Sequence, residues 1–169
     1  LAALTTGAGN VAIGYQAATD ITTGTKNIAI GYQALVSADG GESNNIAIGW
    51  QALGTLENDS ATHNVAIGNL ALDATSTYVA TFNVAVGHTA GTAVTSGDNN
   101  TMIGHAAGEN ITTGGSNTVL GYDAQVGAAG ATNQTAIGKG VVGVNTDNSV
   151  TLGNADVTAV YMAQDSGAT

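Results

Sequence analysis

Small and aliphatic residues alternate in short bursts along this chain, and each burst ends on glycine. Nine such phrases, aliphatic-small-aliphatic-Gly and usually opened by Asn, end at Gly14, Gly31, Gly49, Gly68, Gly87, Gly104, Gly121, Gly138 and Gly153. The intervals between them are 17, 18, 19, 19, 17, 17, 17 and 15 residues. Just before the glycines stand Ile13, Ile30, Ile48, Ile67, Val86, Ile103, Leu120, Ile137 and Leu152. Two residues further back stand Val11, Ile28, Ile46, Val65, Val84, Thr101, Thr118, Thr135 and Val150, all β-branched. Period two with β-branched residues predicts a strand with one buried face. The aliphatic column from Ile13 to Leu152 is expected to be the structural core. The mostly small column between the two, including Ala12, Ala29, Ala47, Ala66 and Ala85, is expected on the opposite face, where small side chains allow close approach.

A unit this short cannot bury a core alone and gains stability by stacking on its copies. The pattern therefore predicts an all-β parallel β-solenoid of about nine rungs, one phrase per coil. Its aliphatic-Gly signature comes once per coil rather than three times, which favours a two-sided roll over a triangular one. At about 4.8 Å per rung the body is roughly 40 Å long. The Asn column, Asn10, Asn27, Asn45, Asn64, Asn83, Asn100 and Asn117, is placed for side-chain amides to hydrogen-bond along the stack. An Ala three residues past the Gly, and a second Gly at Gly7, Gly24, Gly97 and Gly114, mark two corners. The extra residues of the longer units, in 39–43 and 57–60, are expected to bulge as surface loops. Residues 1–147 read as the repeat region, and 148–169 as the last rung and a neck leading to a further domain. The opening Leu1-Ala2-Ala3-Leu4-Thr5-Thr6-Gly7 matches the second half of a unit, as a piece of a longer polypeptide would.

Composition narrows the function classes. Only 4% of the residues are aromatic and 8% charged, with 25 Gly, no Pro and no Cys, which suits tight stacked turns and excludes a disulfide framework or thiol nucleophile. Twelve acids against Lys26 and Lys139 give a formal charge of -10. Nucleic acid is not expected as a partner, since phosphate neutralisation needs clustered Lys and Arg. No apolar run approaches the roughly 20 residues of a spanning helix, so membrane insertion is not expected.

Two resemblances are carried by these motifs. The Asn133-Gln134-Thr135-Ala136-Ile137-Gly138 and Asn148-Ser149-Val150-Thr151-Leu152-Gly153 phrases resemble the head repeats of trimeric autotransporter adhesins, and the first seven rungs place their Asn one residue nearer the Gly. That resemblance implies a left-handed β-roll assembled as a homotrimer. Units such as Asn27-Ile28-Ala29-Ile30-Gly31-Tyr32-Gln33-Ala34-Leu35 are similar to those of bacteriophage tail fibres. The run from Asn148 through Asp156 to Tyr161 resembles the segment that, in such fibres, precedes an endosialidase-type intramolecular chaperone.

The column after the repeat Gly is the candidate receptor-contact ladder: Tyr15, Tyr32, Trp50, His88, His105 and Tyr122, interrupted by Asn69 and followed by Lys139 and Asn154. Sugar rings could stack on such side chains, or the side chains could stack on one another. His88 and His105 stand one rung apart without a carboxylate at the same turn, so no metal is expected there. The acids Asp20, Asp39, Glu42, Asp59, Asp73 and Asp98 fall in no single register, which argues for a solvated acidic surface rather than calcium sites. Neither paired carboxylates nor a Ser-His-Asp ordering can be singled out, so no cofactor and no enzymatic activity are expected.

The resulting expectation is a structural and receptor-binding segment of a homotrimeric viral tail fibre. It would be a stiff extracellular spacer in the virion tail, engaging a host cell-surface glycan or protein and other tail or fibre proteins. The alternatives are a bacterial trimeric adhesin head on a cell surface and, from another class, a polysaccharide depolymerase.

Overall fold

The computed structural model describes residues 1–38, 40–56, 60–74 and 80–160. Nine three-residue strands recur once per unit: β1 (Val11–Ile13), β2 (Ile28–Ile30), β3 (Ile46–Ile48), β4 (Val65–Ile67), β5 (Val84–Val86), β6 (Thr101–Ile103), β7 (Thr118–Leu120), β8 (Thr135–Ile137) and β9 (Val150–Leu152). They form one parallel sheet in sequence order, each strand paired with the next. The register keeps the repeat in step, with Ala29 opposite Ala47 and Ala66 opposite Ala85. The chain is thus an all-β parallel β-solenoid of about eight turns, with no helix among the described residues. Each coil has one strand and returns through turns; the expected second strand is reduced, among the described residues, to an isolated bridge between Gln125 and Val142.

The inside and outside of the sheet are the reverse of the expectation. Ala29, Ala47, Ala66, Ala85, Met102, Val119 and Ala136 are fully buried in the solenoid. None of Ile13, Ile30, Ile48, Ile67, Val86, Ile103, Leu120, Ile137 and Leu152 is buried, so the column assigned as the structural core faces outward. The reason is the width of the coil. The opposing return segments bring Ile21, Leu35, Leu53, Leu56, Leu72, Val94 and Ile111 into the interior, so the sheet wall has room only for small side chains. Alternation fixed the two faces without saying which was inside.

One exchange of volume shows how tightly the two walls are matched. The return position four residues past the repeat Gly is Leu35, Leu53 and Leu72 in rungs two to four, then Gly91 and Gly108. Between those glycines the sheet wall substitutes Met102 for alanine. A Cβ on Gly91 would lie 2.8 Å from Met102 Cε, and one on Gly108 would lie 2.7 Å from its Cγ. The methionine fills the space that the missing leucine side chains leave.

The Asn column forms the expected ladder inside the roll. The Asn27 backbone N–H donates to Asn10 Oδ1 at 2.9 Å, and Asn27 Nδ2 donates across the interior to Glu42 O at 2.7 Å. Asn45, Asn64, Asn83, Asn100 and Asn117 repeat the backbone bond at 2.9 to 3.0 Å. Gln134 continues it where the Asn moves one place back, donating its N–H to Asn117 Oδ1 and Nε2 to Val144 O. These bonds let each coil hold residues in the left-handed backbone region. In the second coil these are Lys26, Gln33 and Leu35, with φ of 58°, 55° and 53°. Such a residue costs roughly 1 kcal/mol, and here its N–H bonds to an adjacent coil, as Gln33 N does to Tyr15 O at 2.8 Å.

The loop expectation at 39–43 and 57–60 is only partly covered, because 39 and 57–59 lie outside the described residues, as does the stretch 161–169 of the expected neck. Within the covered part Glu42 is not a solvated acid: it is fully buried, and its Oε2 accepts from Gly40 N–H at 3.1 Å.

Candidate functional site

Because Asn, Ala and Gly of each phrase point inward, the positions between them point outward. Four columns form this outer face, at five, three and one residues before the repeat Gly and one residue after it. Over nine rungs that is 36 positions, and none of them is buried. The two central columns are the aliphatic and β-branched ones. The candidate ladder is one border of the face, and the column from Gly9 through Lys26, Asn44, His63, Phe82, Asn99, Ser116 and Asn133 to Asn148 is the other.

The ladder is real but broken into two parts. Tyr15 and Tyr32 stack with ring centroids 5.2 Å apart and planes at 19°. His88 stacks on His105 at 5.2 Å and His105 on Tyr122 at 5.1 Å. Trp50 is 44% exposed, and its backbone N–H donates to Asn69 Oδ1 at 3.0 Å, so the Asn ends the first run of rings. Beside the tyrosines runs an amide ladder, Gln33 Nε2 donating to Gln16 Oε1 at 2.8 Å and Gln51 Nε2 to Gln33 Oε1 at 3.3 Å. Rings at this spacing cover one another's faces, leaving their edges and the terminal faces to solvent. A sugar ring cannot enter between them, so this column offers a contact edge rather than a series of stacking platforms.

The opposite border holds a pair that the sequence reading missed. His63 and Phe82 stack at 4.9 Å and 19°, and both side chains are exposed. Extending the period of two one step back past the Asn would have found them. Both residues sit in the left-handed region, with φ of 62° and 58°, which turns their rings onto the same outer face.

Among the described residues no three His, Asp, Glu or Cys side chains come together. Of the acids the sequence singled out, Asp39 and Asp59 lie outside the described residues, and Asp20, Glu42, Asp73 and Asp98 do not come together in threes. Asp98 Oδ1 accepts from the Thr81 backbone N–H at 2.7 Å and from Thr81 Oγ1 at 2.9 Å. Asp73 is half-buried, and burial holds its carboxyl above the ordinary carboxylate range against a smaller opposing pull from the Gly54 backbone amide. A carboxyl raised in this way binds its proton more readily folded than unfolded. Its contribution to stability is therefore greatest in acid and is lost as pH rises through the raised value. Asp73→Asn is expected to raise the melting temperature at pH 7 and to lose that advantage below about pH 3.5. Melting curves across that range check it, and an advantage independent of pH would contradict it.

No protein-family model matches this chain, and no curated protein sequence is significantly similar to it.

Proposed function

We propose that this chain is a structural and receptor-binding segment of a homotrimeric viral tail fibre, a stiff spacer that presents attachment surfaces to a host cell. The observation that carries the reading is the outer sheet face. It is aliphatic or β-branched through its centre, runs the full length of the stack and is left unburied among the described residues. Nine rungs at about 4.8 Å and seven residues at about 3.3 Å make the whole face roughly 1,000 Å², and its three-residue aliphatic and β-branched centre about 400 Å². The centre alone is as large as the largest apolar patches of ordinary monomers, about 300–600 Å² and often functional. The whole face, polar borders included, is large enough to supply what one partner contributes to a standard stable interface, about 800 Å².

Closed threefold assembly on this face would bury it at every rung at once. The small-residue column, whose side chains would allow the closest approach, is already used inside the roll, so the contact passes to Ile30, Ile48, Ile67 and Val86 and their neighbours. The resemblance of the repeats to tail-fibre units supports the same assignment, as does the Asn ladder, which gives each chain continuous internal cross-links along its length. Purified protein should sediment as a species of about 49 kDa, three times the 16.4 kDa of the chain. Fluorescently labelled protein should bind host bacteria saturably. A 16.4 kDa species at micromolar concentration would remove the assembly, and a trimer that binds no cells across a panel of hosts would remove the receptor role.

A further inference from the structure

The outer face differs from the rest of the molecule in charge as sharply as in hydropathy. None of the chain's twelve Asp and Glu residues stands in its four columns, yet both lysines and all three histidines do. Lys26 and His63 lie in one border column, and His88, His105 and Lys139 in the other. A chain of formal charge -10 thus keeps its sheet face free of carboxylates, with both lysines and all three histidines at the borders.

We propose that this face is a pH-sensitive contact: the chains associate on it at neutral pH and separate when His63, His88 and His105 become protonated. The inference rests on the trimeric reading of the same face. Histidine as a class changes charge between pH 5 and 8, and the four columns of this face carry no carboxylate to compensate a positive charge. His88 and His105 stack with planes at 12° and centroids 5.2 Å apart, so two imidazolium rings would face each other directly. Their neighbours in the column are Asn69 below and Tyr122 and Lys139 above. His63 stacks on Phe82, with Thr62 Oγ1 3.0 Å from its Nδ1, and Asn44 and Asn99 complete its surroundings in the column. Of the acids around them, Asp98 accepts from Thr81 and Asp123 Oδ1 from Gln125 Nε2, Glu109, the nearest in sequence to His105, is exposed, and Asp59, the nearest to His63, lies outside the described residues. A subunit contact would also remove water from these rings, and desolvation raises the cost of each new charge.

The sign of the effect separates it from a general charge effect. Protonating three histidines moves the formal charge only from -10 to -7, which weakens the repulsion between whole chains and alone would strengthen association. The proposal predicts the opposite. Sedimentation would be followed at pH 7.5 and pH 5.0 at matched ionic strength, on the native protein and on His63→Asn/His88→Asn/His105→Asn. Asn already occupies both border columns, at Asn44, Asn99 and Asn69, so these replacements keep the side-chain type of neighbouring rungs.

The native protein is expected to need at least tenfold more protein to stay assembled at pH 5.0 than at pH 7.5, with circular dichroism unchanged. The triple variant is expected to assemble alike at both. Equal association of the native protein at the two pH values, or an unchanged pH response in the variant, overturns the switch while leaving the trimer standing. A native protein already monomeric at pH 7.5 overturns the trimer and the switch with it.

Discussion

Gly87→Ala is expected to destabilise the solenoid by roughly 4 kcal/mol, the sum of backbone strain and overpacking against a neighbour that cannot yield. Gly87 has φ of +140°, and a Cβ there would lie 2.3 Å from Gly104 O, 2.6 Å from Gly104 C and 3.1 Å from His105 N. All three are backbone atoms. They cannot retreat, because Gly104 N–H donates to Val86 O at 2.8 Å and Gly104 presses in turn on Gly121. The close approach is thus a property of the stack, repeated rung after rung, and not of one turn. Gly130→Ala is the control: its Cβ would meet only Thr113 Oγ1, at 3.3 Å, the end of a side chain that can rotate. Urea unfolding should show a large drop in midpoint for Gly87→Ala and little change for Gly130→Ala. Similar midpoints in both would mean that the coils are not packed as closely as described.

The same glycine column is what made the architecture readable from the sequence. Only glycine fits where successive backbones touch, so its recurrence marks each rung without any knowledge of the rest. The Asn ladder was readable for a related reason, since an amide that bonds to its counterpart one coil away must recur in register. The direction of the sheet was not readable in the same way. Alternation at Val65, Ala66 and Ile67 separates two faces, and ranking them by hydrophobicity puts the isoleucine inside. The interior is decided by residues elsewhere in the coil, Leu53, Leu56 and Leu72, whose bulk leaves space only for Ala66. The pairing of Met102 with Gly91 and Gly108 is of the same kind, a compensation between segments that only the stacked structure brings together. In the candidate site the Tyr15, Tyr32, His88, His105 and Tyr122 column was legible because it touches the glycine. The His63–Phe82 pair was hidden by the buried Asn between it and the strand.

Adjacent residues of β4 give the sharpest test of that inversion. Ala66 is fully buried and Ile67 is 38% exposed. Asp at position 66 would place a carboxylate against the leucine wall with no cationic side chain to meet it, because both lysines lie in the outer columns. Leaving such a charge unpaired costs about 3–5 kcal/mol or forces the group to take up a proton. Ala66→Asp should therefore lose cooperative unfolding near neutral pH and regain part of its stability in acid. Ile67→Asp puts its carboxylate in water when the chain is alone, so the coil should keep its β-sheet circular dichroism and hydrogen-exchange protection. In the proposed trimer the same carboxylate is carried into the apolar contact three times, once from each chain, and the assembly should fall to single chains. Circular dichroism reports the first property and sedimentation the second. If Ile67→Asp unfolds the chain as completely as Ala66→Asp while the native protein is monomeric, the isoleucine column is the true interior and the outward face described for it is wrong. If Ile67→Asp instead remains folded and fully trimeric, the sheet face is not where the chains meet.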